Sequence, residues 1–207
     1  MFDTFAVQWP ETAREQLEPA QFELPLRGNA TPAYQRLAEV FRHHAGTSFA
    51  DGLYRIHGVE TAQQARDYCL QLAPGAGRVT FPFAFDWLGR QLAVDLRDPQ
   101  NLPVVQFDPA AGKAYESEMA LVEFHDLISE ESLAGEALSW ELYREWRAQD
   151  MDPLGFDECV GLGVPLFLGG EEAVSNLQRS SLDVYWELSC QLARGVSGLQ
   201  AARFPSP

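Results

Sequence analysis

The segment Phe81-Pro-Phe-Ala-Phe-Asp-Trp-Leu-Gly-Arg-Gln-Leu-Ala-Val-Asp-Leu96 constrains the fold more than any other part of the chain. From Val79 onward the apolar period is two residues. Strand side chains point alternately to opposite faces, so Phe81, Phe83, Phe85 and Trp87 are predicted to share one face of a first arm, and Leu92, Val94 and Leu96 one face of a second. Leu88-Gly89 supplies the turn between them. Pro82 has no amide hydrogen to give a ladder, which predicts an edge position or a bulge in the first arm. Leu102 to Asp108 reads as a third strand, Pro109-Ala-Ala-Gly112 as a turn and Lys113 to Glu118 as a fourth strand. The expected sheet is an antiparallel meander of about four to five strands.

On either side of the meander the period becomes helical. Thr31-Pro32 starts a helix, with threonine as the cap and proline in the first turn. Tyr34, Leu37, Val40 and Phe41 continue it until Gly46. Gly52 to Ile56 reads as a short strand. Thr61 to Leu72 reads as a helix with Ala62, Ala65, Cys69 and Leu72 inward, stopped by Pro74-Gly75. After the meander, Leu121, Phe124, Leu127 and Ile128 form one stripe and Leu138, Leu142 and Trp146 another. Pro153 to Val160 reads as an irregular connector. Val164 to Leu168 reads as a buried strand or a tight crossing of the core, ended by Gly169-Gly170, and Val174 to Leu177 as one more short strand. Asp183 is the expected cap of a closing helix, with Val184, Leu188 and Leu192 facing inward and Gly195 ending it. Before all this, a short helix is expected at Glu11–Leu17, followed by an extended segment lying over the body. The class is α+β: a meander flanked by helices in one compact domain. Residues 1–50 are its N-terminal helical and extended region, 51–196 its main body and 197–207 a frayed tail.

Charge narrows the function. The 207 residues carry 15 Lys+Arg against 30 Asp+Glu, a net charge of −15, on a chain that is 46% hydrophobic and so folds rather than remaining disordered. Such a body repels nucleic acid and anionic membranes and attracts cationic partners. Lys113 is the only lysine, and no basic stripe exists to follow a phosphate backbone. The cysteines Cys69, Cys159 and Cys190 are odd in number and form no CxxC pair, so neither a disulfide framework nor a zinc ribbon is expected. Met1 to Glu18 lacks the basic start and apolar run of a secretory signal, and no stretch is long and apolar enough to span a bilayer. A cytoplasmic location is expected.

Catalytic patterns are weak throughout. Asp86 and Asp95 flank the hairpin turn, and a carboxylate pair can do acid–base work, yet aspartates beside turns usually accept from backbone amides. Arg90 is expected to pair with one of them as an exposed ion pair. His43, His44, His57 and His125 have no metal-ligand spacing, and no metal or cofactor is expected. Cys159 with His125 as a base is supported by no local motif. The acidic stretch is more telling: Glu116, Glu118, Glu123, Asp126, Glu130, Glu131, Glu136 and Glu141 are accompanied by Arg144 as the one strong cation. Ordinary solvated faces mix signs, so this run is the candidate partner-binding surface.

Several segments, in order along the chain, resemble a bacterial family of immunity proteins for type VI secretion DNase effectors, often joined to an N-terminal region called GAD-like. They are Gly52-Leu-Tyr-Arg-Ile56, Phe85 to Asp95, Phe124-His125, Cys159-Val-Gly161, Pro165-Leu-Phe-Leu-Gly-Gly170, Asn176-Leu177 and Asp183-Val-Tyr-Trp186. The resemblance implies a non-enzymatic antitoxin whose partner is a basic nuclease toxin, with residues 1–50 as the GAD-like part. Among its motif residues, Trp87, Phe167 and Trp186 are read as core anchors, and Asp86, Arg90 and Asp183 as hairpin and cap residues. Gly89, Asp95, Pro165, Gly169, Gly170 and Tyr185 are read as structural too. A module binding a host regulatory protein is the alternative, and an enzyme a distant third. The chain is expected to be a monomer, or a homodimer in which Arg36, Arg42 and Arg55 mask the acidic face.

Overall fold

The computed structural model describes residues 2–16, 31–149 and 152–203; for residues 2–4, 132, 133, 136 and 197–203 it describes the backbone alone. The chain starts with helix α1 (Phe2–Gln8) and strand β1 (Glu11–Arg14), where a helix over Glu11–Leu17 was expected. A helix that short is marginal alone. Here residues 11–14 instead pair with β2 (Thr47–Phe49), Ala13 opposite Ser48 and Arg14 opposite Thr47. The extended segment expected after Leu17 lies outside the described residues up to position 30.

Between β1 and β2 runs α2 (Pro32–His44), capped as anticipated by the Thr31 hydroxyl, which accepts from the Tyr34 amide at 3.2 Å. Next come β3 (Tyr54–Ile56), α3 (Val59–Leu72), α4 (Pro74–Gly77), β4 (Thr80–Asp86), β5 (Gln91–Asp95), β6 (Pro103–Asp108) and β7 (Lys113–Ala120). Strands β1 to β7 form one antiparallel sheet of seven, paired in chain order. The meander is therefore larger than predicted, because β1 and β2 are too short to show a period in the sequence. Pro74-Gly75 does end α3, but the chain makes one further helical turn there.

Pro82 sits in the centre of the sheet, at a bulge: it pairs with Ala93, while Ala84 pairs with Leu92, leaving Phe83 as the extra residue. One inserted residue reverses the phase of everything after it. Phe81 and Phe83 consequently face one layer, whereas Phe85 faces the other. The predicted shared face of Phe81, Phe83, Phe85 and Trp87 is thus split. Both layers cover β4 and β5 completely, and every residue of the two strands is buried. Leu92 and Val94 face the first layer together with Leu96, as expected.

That first layer is built by α1, α2 and three short helices, α5 (Leu121–Ile128), α6 (Glu131–Leu138) and α7 (Trp140–Arg147). The predicted Leu138–Leu142–Trp146 stripe is broken by Ser139, whose left-handed backbone (φ 51°) separates α6 from α7. All the same, Leu138 and Trp146 are buried, and Trp146 stacks on Trp87 at 5.8 Å.

Opposite lie α3, the hairpin of β8 (Glu158–Leu162) with β9 (Leu177–Ser181), and the long α8 (Leu182–Arg203). Part of the expected connector is therefore strand. Val164 to Leu168 is not a buried crossing: it is a 3-10 turn at the surface, with Val164 and Leu168 each 48% exposed. The closing helix is also rotated from its predicted setting. Leu182, Tyr185, Trp186, Ser189 and Cys190 face inward, leaving Val184, Leu188 and Leu192 in solvent. Large aromatics with a polar tip win such a contest when the tip finds a partner. Trp186 donates from its indole to the Gly89 carbonyl at 2.8 Å, and the Tyr185 hydroxyl accepts from the Leu162 amide at 3.2 Å. Gly195 does not end the helix, whose backbone continues to Arg203. Beyond 203 the expected frayed tail lies outside the described residues.

Candidate partner-binding surface

The acidic run lies on four consecutive elements that pack one on the next, β7 on α5, α5 on α6 and α6 on α7. Glu116, Glu118, Glu123, Asp126, Glu130, Glu131 and Glu141 are all exposed. The side chain of Glu136 lies outside the described residues. Some carboxylates of the run hold the local fold together: Glu123 accepts from the Ala120 amide at 3.1 Å, at the start of α5, and Glu131 from the Trp140 indole at 2.8 Å. Glu116 pairs with Arg97 at 2.9 Å and Glu141 with Arg144 at 3.3 Å. Exposed carboxylates also occur elsewhere, at Glu60, Asp67, Glu171, Glu172, Asp183 and Glu187. Several arginines are already matched to carboxylates: Arg14 with Glu11, Arg36 with Glu39, Arg147 with Asp51 and Arg179 with Glu158. Each such pair cancels one carboxylate, and the surplus set by 30 acidic against 15 basic residues remains.

Beneath the run, β5–β7 and α5–α6 line an open recess of about 280 Å³. Leu92, Val104, Phe124, Leu127 and Ala137 line it, with Tyr115 and Glu116 on the β7 side. The edge strand β7 and an apolar recess thus adjoin the acidic carboxylates.

Motif residues gather at the other end of the hairpin. Asp86 is fully buried; its carboxylate accepts from the Leu88 and Arg90 amides at 3.0 Å and meets the Arg90 guanidinium at 2.5 Å. The pair is buried rather than exposed, with Arg90 at 6%. Burial pushes the Asp86 carboxyl up, and the adjoining Arg90 opposes that push. Asp95 lies at the far end of the strands, opposite Thr80. At about 3.3 Å per residue the two aspartates are roughly 20 Å apart, too far for an acid–base pair. Burial acts to raise Asp95, but its bonds to Arg97 outweigh this and hold it below the usual carboxylate range.

Trp87 is fully buried and donates to the Leu138 carbonyl at 2.8 Å. Gly89 has φ +79°, and a Cβ there would lie 3.2 Å from the Cys159 thiol and from Leu182. Pro165 is buried and Phe167 half-buried against Gly112, so Phe167 flanks the core instead of anchoring it. Gly169 has φ +89°, and a Cβ on Gly170 would overlap the Val164 carbonyl. Asp183, in the first turn of α8, accepts from the Tyr68 hydroxyl at 2.5 Å and from Gln64 at 3.1 Å.

Arg55, which the sequence suggests for a surface patch with Arg36 and Arg42, is instead fully buried. Its guanidinium donates to the carbonyls of Gly155, Glu158 and Asp86 and lies 4.3 Å above the Phe85 ring. Burial lowers its pKa to about 10. A lone Arg between Tyr54 and Ile56 in a predicted strand was the only available signal.

The remaining chemistry is dispersed. Burial pushes the Cys159 thiol up to about 12, and Cys159 belongs to the second layer while His125 contacts Phe5, Phe83 and Tyr54 of the first. Among the described residues no three His, Cys, Asp or Glu side chains come together as metal ligands, and no helix is long and apolar enough to cross a membrane.

A seven-stranded antiparallel meander with helices on both faces, carrying exposed carboxylates over β7–α7, defines an α+β domain. Residues 119–193 match the family model described as T6SS immunity protein Tdi1, C-terminal. The chain is also similar in fold to the crystal structure of Atu4351 from Agrobacterium tumefaciens, with a TM-score of 0.61 at 12% identity over 92% of this chain and 89% of that one. No curated protein matches the sequence.

Proposed function

We propose that this protein is an immunity protein: it binds a cationic nuclease toxin of the type VI secretion class and blocks it through the acidic surface of β7–α7. The observation carrying this reading is a coincidence of position. The stretch that matches the immunity-protein family, residues 119–193, contains Glu123, Asp126, Glu130, Glu131, Glu136 and Glu141, six of the eight carboxylates of the run. A nuclease needs a cationic groove to hold DNA, and a dense negative face can occupy that groove in place of the phosphates. Opposite charge also accelerates encounter, which matters for an inhibitor that must act before the toxin reaches the chromosome. The protein acts in this reading without turnover, in the cytoplasm, and without a cofactor.

The test is co-expression with a nuclease toxin of the type VI secretion class, taken from the neighbouring genes if one is encoded there. Growth rescue and a complex that survives purification at low salt are expected. A toxin that kills equally well with and without this protein, and no complex at low salt, overturns the reading.

A further inference from the structure

Strand β7 is an edge strand of the sheet, and its register with β6 breaks partway along. Val105 pairs with Glu116 and Pro103 with Ala120, so Ser117, Glu118 and Met119 answer to Val104 alone. A bulge of this kind bends an edge strand and re-aims its side chains. Here the bend is pinned. The Ser117 hydroxyl donates to the Val104 carbonyl at 2.8 Å and accepts from the Met119 amide at 3.3 Å, while Glu123 accepts from the Ala120 amide at 3.1 Å. The recess under the acidic run opens at this bulge: Val104, Ser117 and Met119 line it, facing Phe124 and Leu127 of α5 and Ala137 of α6. Tyr115, 48% exposed, and Glu116 stand on its β7 side. Charges on an edge strand ordinarily ward off pairing with another strand. That accounts for Glu116 and Glu118, but not for an apolar recess held open beside them.

Size and charge decide what fills it. At about 280 Å³ the recess falls below the roughly 300–1,000 Å³ of small-molecule sites, and it suits a single side chain. Glu116 lines it, and Glu118 and Glu123 are exposed next in sequence to the lining residues Ser117, Met119 and Phe124. A second copy docked patch to patch sets these three carboxylates against the same three, a juxtaposition that like charges oppose. The chain's own stretch 17–30, which lies outside the described residues, carries Glu18 and Glu23 against Arg27 and so brings no surplus of cations. Anionic lipid is repelled by the same rim. The complementary occupant is an apolar side chain flanked by Lys or Arg.

We infer that the recess is the anchor site of the toxin interface: it takes one apolar side chain from a basic segment of the nuclease, whose cations meet Glu116, Glu118 and Glu123. The inference rests on the proposed function and divides the work within that surface. The carboxylates govern how fast the two proteins meet, and the recess governs how long they stay together. Because its bulge is already hydrogen-bonded in place, the recess needs little ordering on binding.

The experiment is stopped-flow association and dissociation of the full chain with the co-expressed nuclease toxin at two ionic strengths. Ala137→Phe fills the recess from α6 and is expected to raise the dissociation rate by about tenfold or more, by a similar factor at both salts, with little change in association. Leu188→Ser, on α8 in the opposite layer and 53% exposed, changes neither rate. Thermal unfolding verifies each fold, and Met119→Trp replaces Ala137→Phe if that variant is unstable. A complex indifferent to both filling variants overturns the inference and leaves the proposed function standing. No complex and no growth rescue with the unaltered chain overturns both. A dissociation effect that vanishes at high salt assigns the recess to a cationic side chain and overturns the apolar anchor. A free chain that is a dimer and is dissolved by Ala137→Phe gives the recess to a second copy and equally overturns it.

Discussion

Asp86 and Arg90 form a buried pair whose members depend on each other, and their energetics are asymmetric. Removing one partner leaves a charge in a dry interior, so Asp86→Ala is expected to cost about 3–5 kcal/mol in urea unfolding. Asp86→Leu combined with Arg90→Met is expected to recover much of that loss, because an apolar pair of similar volume needs no compensation. Gly161 illustrates close approach: the Tyr185 ring occupies the place of its Cβ. Gly161→Ala must displace that ring and is expected to cost about 1–3 kcal/mol. Two histidines set the acid sensitivity. His57 donates to Gln91, and His125 is pinned by the Leu121 carbonyl and the Tyr54 hydroxyl. Burial lowers both to about 4 from an ordinary 6.5. The unfolded chain thus takes up protons that the folded chain refuses. Stability is complete above pH 6.5 and falls progressively toward pH 4, by about 1.4 kcal/mol per pH unit for each histidine. Urea midpoints at pH 7 and pH 5 read this directly, and His125→Gln is expected to flatten the fall.

At the scale of elements, single residues decide phase and direction. The bulge at Pro82–Ala84 turns Phe85 toward α8, where Arg55 lies over its ring and His57 stacks on it at 4.6 Å. Alternation in the sequence revealed that β4 exists, but an inserted residue is invisible until the register with β5 is known. Ser139 holds φ 51° between α6 and α7, a conformation costly for a residue with a Cβ. Ser139→Gly is therefore expected to stabilise the protein by about 0.5–1 kcal/mol, seen as a raised thermal midpoint. The α8 stripe was legible as an amphipathic period, though its facing was not. Two apolar faces compete along that helix, and the one holding Trp186 goes inward because the Gly89 carbonyl awaits its indole.

For the molecule as a whole, charge outweighs any single contact. With −15 on the chain the outer field is negative, and the exposed carboxylates of β7–α7 add to it. If the proposed function holds, reversing Glu118, Asp126 and Glu130 together to Lys is expected to slow association with the nuclease toxin by about tenfold or more at low salt, with little change at high salt. Stopped-flow mixing at two ionic strengths measures it, and an unchanged thermal midpoint shows the fold intact. The acidic residues were plain in the sequence. Their placement on packed neighbours beside an apolar recess was not, because it depends on how α5, α6 and α7 fold back over the sheet.

The class of fold, the Thr31 cap, the central hairpin and the excess of negative charge are readable from the chain alone, since each depends on neighbours in the chain or on composition. Which face of α8 is core, that β1 is a strand, that Phe85 changes sides and that Arg55 is interior emerge only once the chain is folded. Each of those outcomes is a competition between partners distant in sequence, settled by which buried polar tip or strand edge finds its complement.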